Sequence, residues 1–178
     1  MSEEWYQSAL VCGNGHVIND DVEGQPSRNR SFCEECGEPA IKACVHCAKA
    51  IRGARFYHTD RDMDLRASGF GLPGGRKCTY SGPPKYCHAC GKPFPWMVAA
   101  IAAAEEFADT LISLTVEERD SLKASLPDIV AETPRTQVAA SRFRNLASKA
   151  GGAALGVFQR ILAGILCEAA KRQIWPQP

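Results

Sequence analysis

The sequence predicts two structural classes in one chain, a small β-rich N-terminal half stabilised by metal ions and an all-α C-terminal region. Two observations indicate this division. Metal-ligand residues occur in four close pairs before residue 96, whereas apolar residues recur at helical spacing after it. We therefore expect a metal-binding domain at residues 1–96 and a helical domain at residues 97–178. The second should hold about three helices, the last broken near residues 151–152.

Four pairs of ligand residues dominate the N-terminal half. They are Cys12 with His16, Cys33 with Cys36, Cys44 with Cys47, and Cys87 with Cys90. A short spacer lets both donors of a pair reach one ion from a tight turn, and four donors close a tetrahedral structural Zn²⁺ site. Gly37 and Gly91 follow their pairs, where a positive φ lets the turn close. The eight residues predict two structural zinc ions held in tandem zinc ribbons.

The ligand pairs can combine in two ways. Sequential pairing assigns Cys12, His16, Cys33 and Cys36 to the first site, and Cys44, Cys47, Cys87 and Cys90 to the second. Interleaved pairing gives the cross-brace of RING domains, in which about two or three residues separate the second and third ligand pairs. Here seven residues separate Cys36 from Cys44, which favours sequential pairing.

Histidines have two expected roles. His16 completes the first site, which is otherwise one ligand short, and Cys78 is the alternative donor if His16 does not bind. His46 and His88 lie inside C-x-x-C spacers and would point away from an ion. These two and His58 are expected to be exposed to solvent.

The composition is that of a globular protein in a reducing compartment. The chain has 178 residues and nine cysteines, yet it begins MSEEWYQ, without the basic start and apolar run of a signal peptide. Repeated C-x-x-C in a reducing environment is typical of metal binding, which indicates a cytoplasmic location. The sequence contains no uncharged apolar stretch of about 20 residues, so no membrane span is expected.

No catalytic constellation accompanies the ligands. Closed sites leave no coordination position for water or substrate, and no H-x-E precedes a P-C-x-x-C as in zinc deaminases. Neither Cys78 nor Cys167 has a histidine or carboxylate at a spacing that would indicate a catalytic nucleophile. Cys167 lies on an apolar helix face, where burial is expected. We therefore expect no enzymatic activity and no small-molecule substrate.

Short strands are expected around the ligand turns, at residues 8–12, 16–18 and 40–43. Large aliphatic residues are sparse before Trp96, so metal must supply folding free energy, about 10–16 kcal/mol for structural zinc in small peptides. Residues 59–84 contain GFGLPGG and SGPP without a clear period, which predicts a long loop inside the second site.

Start signals divide the helical region. A first helix is predicted at residues 97–113, with Ile112 on its apolar side. Thr115 and Glu118 form a capping box for a second helix, which is expected to end near Ser125 before Pro127.

A third helix is predicted to start at Thr133-Pro134, to weaken at residues 151–152 and to resume as far as Ile174. Its apolar face carries Leu155, Phe158, Leu162 and Ile165. Apolar stripes at helical spacing usually pack in a core, so we expect this face to pack on the first helix of the same chain.

Basic and aromatic residues are interleaved after the third ligand pair. Residues 49–104 carry nine basic side chains against three acids. This mixture is typical of surfaces that hold phosphates and stack bases. The candidate nucleic-acid contacts are Arg52, Arg55, Tyr57, Arg61, Arg76, Lys77 and Lys85.

Several segments resemble a known family. They are LVCGNGHVIN at 10–19, FCEECG at 32–37, YCHACGKPFPW at 86–96, LPDIVAETPRT at 126–136 and the closing IW. The family is one of small bacterial zinc-ribbon proteins of unknown function. The resemblance implies an N-terminal double zinc ribbon and C-terminal helices, and it supplies no activity. The segment CVHCAKAIRG at 44–53 departs from it, because the resemblance implies a proline after the first Cys.

Three functions are compatible with these features. The leading hypothesis is a non-enzymatic adaptor, in which the zinc ribbons and helices bind a protein partner. The second is nucleic-acid binding through the basic segment. The third is peripheral membrane action by residues 153–175, whose apolar face could enter a lipid interface while Arg160, Lys171 and Arg172 meet anionic lipid.

Overall fold

The computed structural model describes residues 4–58, 76–78, 80 and 82–176. The chain divides into two compact units, Met1–Trp96 and Met97–Pro178. Short strands and two cysteine clusters lie in the first unit, and the C-terminal half is helical. The predicted change from short strands to helices is confirmed at this level.

The described residues of the first unit form two small antiparallel sheets. The strands are β1 (Glu4–Ser8), β2 (Leu10–Cys12), β3 (Val17–Asn19), β4 (Ala40–Ile41), β5 (Arg52–Tyr57) and β6 (Arg76–Lys77). One sheet has the order β1-β5-β6 and the other β3-β2-β4. Ala9 lies between β1 and β2, and its N–H donates to Ile51 O at 2.8 Å. The expected strand at residues 8–12 is therefore divided at Ala9.

The core of the first unit is small, as the scarcity of large aliphatic residues implies. Val11, Ile51 and Ala54 are fully buried, and Phe94 stacks on Trp96 with ring centroids 4.6 Å apart. The indole N–H of Trp96 donates to Pro84 O at 3.1 Å. Among the described residues of this unit few large side chains are buried, as is typical of small domains that are stabilised by metal ions.

Strand β5 is the main difference from the strands expected in this unit. It pairs with β1, with Tyr6 opposite Arg55 and Glu4 opposite Tyr57. The predicted loop at residues 59–84 is interrupted by β6 at residues 76–77. Residues 59–75, 79 and 81 of that loop lie outside the described residues. The pattern RGARFY conceals β5 because Gly53 weakens strand propensity and basic residues interrupt the apolar alternation.

The expectation that His58 is exposed is wrong. Its side chain is 3% exposed, and its ring lies 5.1 Å from that of Trp5, measured between centroids. Trp5 also stacks on Phe56 at 5.8 Å. Pairing of β1 with β5 creates this aromatic cluster, so the burial of His58 depends on a contact between distant parts of the chain. His46 and His88 are exposed, as expected.

Five helices occur in residues 95–174. They are α1 (Pro95–Asp109), α2 (Val116–Val130), α3 (Thr136–Lys149), α4 (Gly152–Leu162) and α5 (Glu168–Ile174). The capping box is confirmed, because Thr115 Oγ1 accepts from the Glu118 N–H at 3.3 Å and Glu118 Oε2 accepts from the Thr115 N–H at 3.1 Å. The break near residues 151–152 is present, with Gly151 at φ 112°.

The predicted end of the second helix at Ser125 is wrong. Helix α2 continues through Pro127 to Val130, and Leu126, Ile129 and Val130 are all buried. Proline inside a helix removes a hydrogen bond and costs about 3 kcal/mol. Burial of the last turn offsets that cost, so packing decides where this helix ends.

Two further helix boundaries differ from the prediction. A second break follows Leu162, where a turn containing Gly164 separates α4 from α5, so the chain forms more than about three helices. Ile112 lies beyond the end of α1 and is 94% exposed, so it does not contribute to an apolar helix face.

The apolar face of α4 packs inside the helical unit. Phe158 makes edge-to-face contacts with Phe107 of α1 and Phe143 of α3, with centroids 4.8 and 4.9 Å apart. Leu162 and Ile165 are also buried. The expected contact with the first helix is therefore present at Phe158, while the face packs mainly on α3. Cys167 is buried as expected. In the described part of the chain, no helix combines the length and apolar character needed to cross a membrane.

Candidate metal centres

The first centre gathers three thiols and one imidazole from the two turns that precede and follow β3. His16 Nδ1 lies 3.4 Å from Cys36 Sγ and 3.6 Å from Cys33 Sγ. Cys12 Sγ lies 3.6 Å from His16 Nδ1 and 3.7 Å from Cys36 Sγ. These are the four residues that sequential pairing assigns to the first site.

The second centre gathers four thiols from two turns that are far apart in the chain. Cys44 Sγ lies 3.8 Å from Cys90 Sγ, and Cys47 Sγ lies 3.6 Å from Cys87 Sγ. In each centre the four ligand atoms all lie within 4.8 Å of one another. The structure therefore brings the eight predicted ligands together in two sets and not in an interleaved arrangement.

The separations match the edges of a metal-centred tetrahedron. Zn–S bonds of about 2.3 Å and a Zn–N bond of about 2.05 Å place two sulfurs about 3.8 Å apart and a sulfur and a nitrogen about 3.6 Å apart. The sulfur–sulfur distances of Cys12–Cys36, Cys44–Cys90 and Cys47–Cys87 are 3.6–3.8 Å, and the three sulfur–nitrogen distances to His16 are 3.4–3.6 Å. Each set can therefore hold one tetrahedral metal ion with four protein donors.

Three of the ligand turns share one backbone geometry. In each, the first cysteine donates its N–H to the carbonyl of the residue five positions later, at 2.8–2.9 Å. The residue after the second cysteine donates its N–H back to the first cysteine's carbonyl, also at 2.8–2.9 Å. That residue has φ of 73° at Gly37, 57° at Ala48 and 69° at Gly91. The predicted positive φ at the two glycines is confirmed, and alanine adopts it in the third turn.

Burial divides each centre into an inner and an outer half. The first cysteine of every pair is buried, namely Cys12, Cys33, Cys44 and Cys87. The second cysteines, Cys36, Cys47 and Cys90, are exposed, and the His16 side chain is 43% exposed. The centres therefore lie close to the surface, with the buried thiols attached to the small core.

Backbone N–H groups favour a thiolate in each centre. The Glu38 N–H lowers the pKa of Cys36 to about 6, and the N–H groups of Ala89 and Cys90 lower the pKa of Cys87 to about 6. Hydrogen bonds to the charged form stabilise it. Since the thiolate is the species that binds metal, these groups prepare one ligand in each set.

The neighbouring thiols resist further ionisation. Burial raises the pKa of Cys12. The Lys49 N–H lowers the pKa of Cys47, but partial desolvation of the sulfur and its contacts with the three neighbouring thiols outweigh it and raise the pKa to about 12. Closely spaced sulfurs cannot all carry negative charge without a compensating cation. Both donor sets therefore have the chemistry of a cation site.

A carboxylate lies behind the imidazole of the first centre. His16 Nε2 lies 3.7 Å from Glu35 Oε2, on the side of the ring opposite the ligand atom Nδ1. Metal-binding histidines commonly direct their second nitrogen to a carboxylate, which fixes the ring orientation. Glu35 belongs to the spacer of the second pair, so the same turn supplies Cys33, Cys36 and this carboxylate.

The two remaining cysteines lie apart from both centres. Cys78 is half-buried, and its N–H donates to Arg55 O at 2.8 Å. The Cys167 S–H donates to Ile129 O at 3.4 Å in the helical unit. The structure gathers His16, and not Cys78, with the three thiols of the first set.

The candidate nucleic-acid residues are only partly brought together. Arg52, Arg55 and Tyr57 lie on β5, and Arg76 and Lys77 form β6, which pairs with β5. Lys85 is half-buried at the start of the fourth turn. Arg61 lies outside the described residues. Arg55 is paired with Glu4 at 3.4 Å, which neutralises part of the expected positive surface.

Tyr6 is a surface residue that the sequence patterns do not indicate. The Arg52 Cζ atom lies 4.8 Å from the centroid of its ring. The two residues are far apart in the chain, and only the pairing of β1 with β5 brings them together. The local sequence offers only the adjacent aromatic residues Trp5 and Tyr6, which do not indicate the contact with Arg52.

Comparison with known proteins gives one informative result. No curated protein and no solved structure is significantly similar to the chain. The family described as "Uncharacterized protein conserved in bacteria" (DUF2321) matches residues 5–174, which is nearly the whole sequence. This match confirms the resemblance to an uncharacterised bacterial family. The two candidate metal centres and the helices that follow them lie within the matched residues, and the chain belongs to this family.

Proposed function

We propose that the protein is a non-enzymatic adaptor of the cytoplasm, in which two structural zinc ions hold a double zinc ribbon that binds a protein partner. The observation that carries the proposal is that each donor set is complete. Four protein ligands per ion leave no position for a reacting water. Thiolate-rich tetrahedral sets favour Zn²⁺ over harder cations, and a reducing compartment keeps such thiols available.

The ligand turns support a protein partner because they present large apolar side chains to solvent. Phe32 precedes Cys33 and is 60% exposed, and Val45 follows Cys44 and is also 60% exposed. Tyr86 holds the position before Cys87 and is exposed as well. Side chains attached to metal-bound turns lose little conformational entropy on binding, and exposed aromatic residues are frequent anchors at protein interfaces.

Metal content tests the structural part of the proposal. Protein purified without added metal should carry two zinc ions per chain when measured by elemental analysis and native mass spectrometry. Cys36→Ala should disturb the first centre and Cys47→Ala the second, each leaving about one ion per chain. Cys78→Ala is the matched control and should retain both ions. A zinc content that is the same in all four proteins would contradict the ligand assignment.

Partner binding is tested by exchanging the exposed aromatic residues. A cross-linked partner should be captured by the wild-type protein and lost from the Phe32→Ser, Tyr86→Ser double variant, whose zinc content should be unchanged. Ile112→Ser is the control, because it removes an apolar side chain of the helical unit that is even more exposed than Phe32 and Tyr86. The adaptor proposal fails if the double variant and the control capture the same proteins in the same amounts.

A further inference from the structure

The sheet formed by β1 and β5 brings together an exposed aromatic ring and a positive charge. Arg52 lies over Tyr6 with Cζ 4.8 Å from the ring centroid, which is the geometry of a cation–π pair. Tyr6 is 48% exposed, and Arg52 is exposed too. The ion pairs of the described residues include none of Arg52, whereas its neighbour Arg55 is paired with Glu4 at 3.4 Å. The exposed guanidinium of Arg52 can be approached from solvent by an anionic ligand.

The backbone of this pair is held by the pairing of β1 with β5, in which Tyr6 is opposite Arg55 and Ser8 is opposite Arg52. β5 is the central strand of its sheet, bonded to β1 on one side and to β6 on the other. Tyr80 Oη donates to Arg52 O at 3.2 Å, which adds a further contact to the same residue. A ligand that stacks here meets a surface that is already ordered, so little entropy is lost by the protein on binding.

A second aromatic side chain lies on the same side of the sheet. Tyr6 is opposite Arg55 and Tyr57 is opposite Glu4, so Tyr6 and Tyr57 are diagonal cross-strand neighbours. Diagonal neighbours are about 7–8 Å apart at their Cα atoms. Two aromatic residues at such a separation, with a planar guanidinium over one of them, are suited to successive unstacked bases.

We propose that the face formed by Tyr6, Arg52 and Tyr57 binds single-stranded nucleic acid, with bases stacked on the aromatic rings and the Arg52 guanidinium, and with a phosphate near Arg52. Stacking is the main source of affinity, since the whole chain has a formal net charge of only +1. A duplex hides its base faces and should bind more weakly. This inference is independent of the proposed protein partner.

The test uses the full-length, zinc-loaded protein and a fluorescein-labelled, mixed-sequence DNA strand of about 12 nucleotides, within the usual site size of stacking surfaces. Fluorescence anisotropy at low salt should show binding by the wild-type protein. Tyr6→Ser and Arg52→Gln should each weaken it roughly tenfold or more, as expected for loss of one stacking contact. Arg52→Lys should weaken it similarly while keeping the salt dependence, because lysine retains the charge without the planar group.

Arg30→Gln is the matched control, since Arg30 is an exposed arginine of the same unit that pairs with Glu34 at 3.5 Å. It should bind as the wild type does. Zinc content is measured for every variant, so loss of the metal-stabilised fold is separated from loss of the surface. The inference is overturned if the wild-type protein does not bind the strand at low salt, if the duplex binds equally well, or if Arg30→Gln and Arg52→Gln have equal effects.

Discussion

Gly53 packs directly against the carbonyl oxygen of Asp20, so closely that a Cβ atom at this position would lie inside van der Waals contact with that oxygen. The same Cβ would lie 2.9 Å from the carbonyl carbon of Ser8. The adjacent Ala54 N–H donates to Asp20 O at 2.7 Å, and the Val22 N–H donates to Ser8 O at 3.0 Å. Gly53 therefore lies where β5, the end of β1 and the segment after β3 meet.

Gly53→Ala should destabilise the first unit by about 3 kcal/mol or more, because the added methyl group meets fixed backbone atoms and not a flexible side chain. Denaturant unfolding at constant free zinc measures the change. Gly13→Ala is the matched control, since its Cβ would lie 3.4 Å from the mobile carboxylate of Glu38. Equal stability of the two variants would show that the close contact of Gly53 with the backbone of Asp20 and Ser8 does not exclude a side chain at position 53.

Ala48→Gly should stabilise the second centre. Ala48 has φ 57°, a region that costs a non-glycine residue about 1–2 kcal/mol, and the equivalent residues of the other two turns are glycines. The added freedom of glycine in the unfolded chain reduces the net gain to about 0.5–1 kcal/mol. Competition with a zinc chelator measures this gain, because the variant should retain the ion of its second centre at a higher chelator concentration than the wild type. Ala50→Gly, in the same turn but without the positive φ, should weaken retention.

Removal of metal should unfold the first unit and leave the helical unit folded. The first unit has few large buried side chains, and structural zinc contributes about 10–16 kcal/mol in small peptides. After chelation, hydrogen exchange should accelerate in residues 4–58 and 82–94, while residues 116–174 keep their protection. The Phe107, Phe143 and Phe158 cluster supplies the helical unit with a core of its own. Unchanged exchange in the N-terminal segments would contradict the prediction.

Acid should weaken the start of α2 through Glu118. Its pKa is lowered by the hydrogen bond from Lys149 and by the Thr115 N–H of the capping box. A carboxyl group with a lowered folded-state pKa contributes stability above its unfolded pKa, and that contribution is lost as the pH falls through the folded value. The Glu118→Gln variant should therefore show a smaller loss of helical circular dichroism than the wild type between about pH 5 and pH 3. Glu132→Gln, at an exposed position between α2 and α3, serves as the control and should follow the wild type.

Local spacing predicts the ligand sets well, whereas contacts between distant segments are not visible in it. The donors of each pair are a few residues apart, and a tight turn brings them to one ion whatever the rest of the chain does. The burial of His58 and the contact of Tyr6 with Arg52 both depend on β1 pairing with β5. No periodic pattern in the intervening residues reports that pairing.

The same distinction applies to the helices. The capping box at Thr115 is a local signal and is found where it was expected. The end of α2 is not local, because Pro127 indicates a stop and the burial of Ile129 and Val130 overrides it. Helix ends that are decided by packing cannot be inferred from propensity alone.

The two centres close chain segments of different length, which imposes an order on their assembly. Cys12 and Cys36 of the first centre are 24 positions apart, whereas Cys44 and Cys90 of the second are 46 positions apart. Loop closure costs about 0.6 kcal/mol more for each doubling of length, so the thermodynamic difference is modest. The two centres differ more in the time at which their donors become available during synthesis. During synthesis, the first centre has all its donors before the first donor of the second has been added, so an emerging chain can acquire one ion while its other half is still being translated.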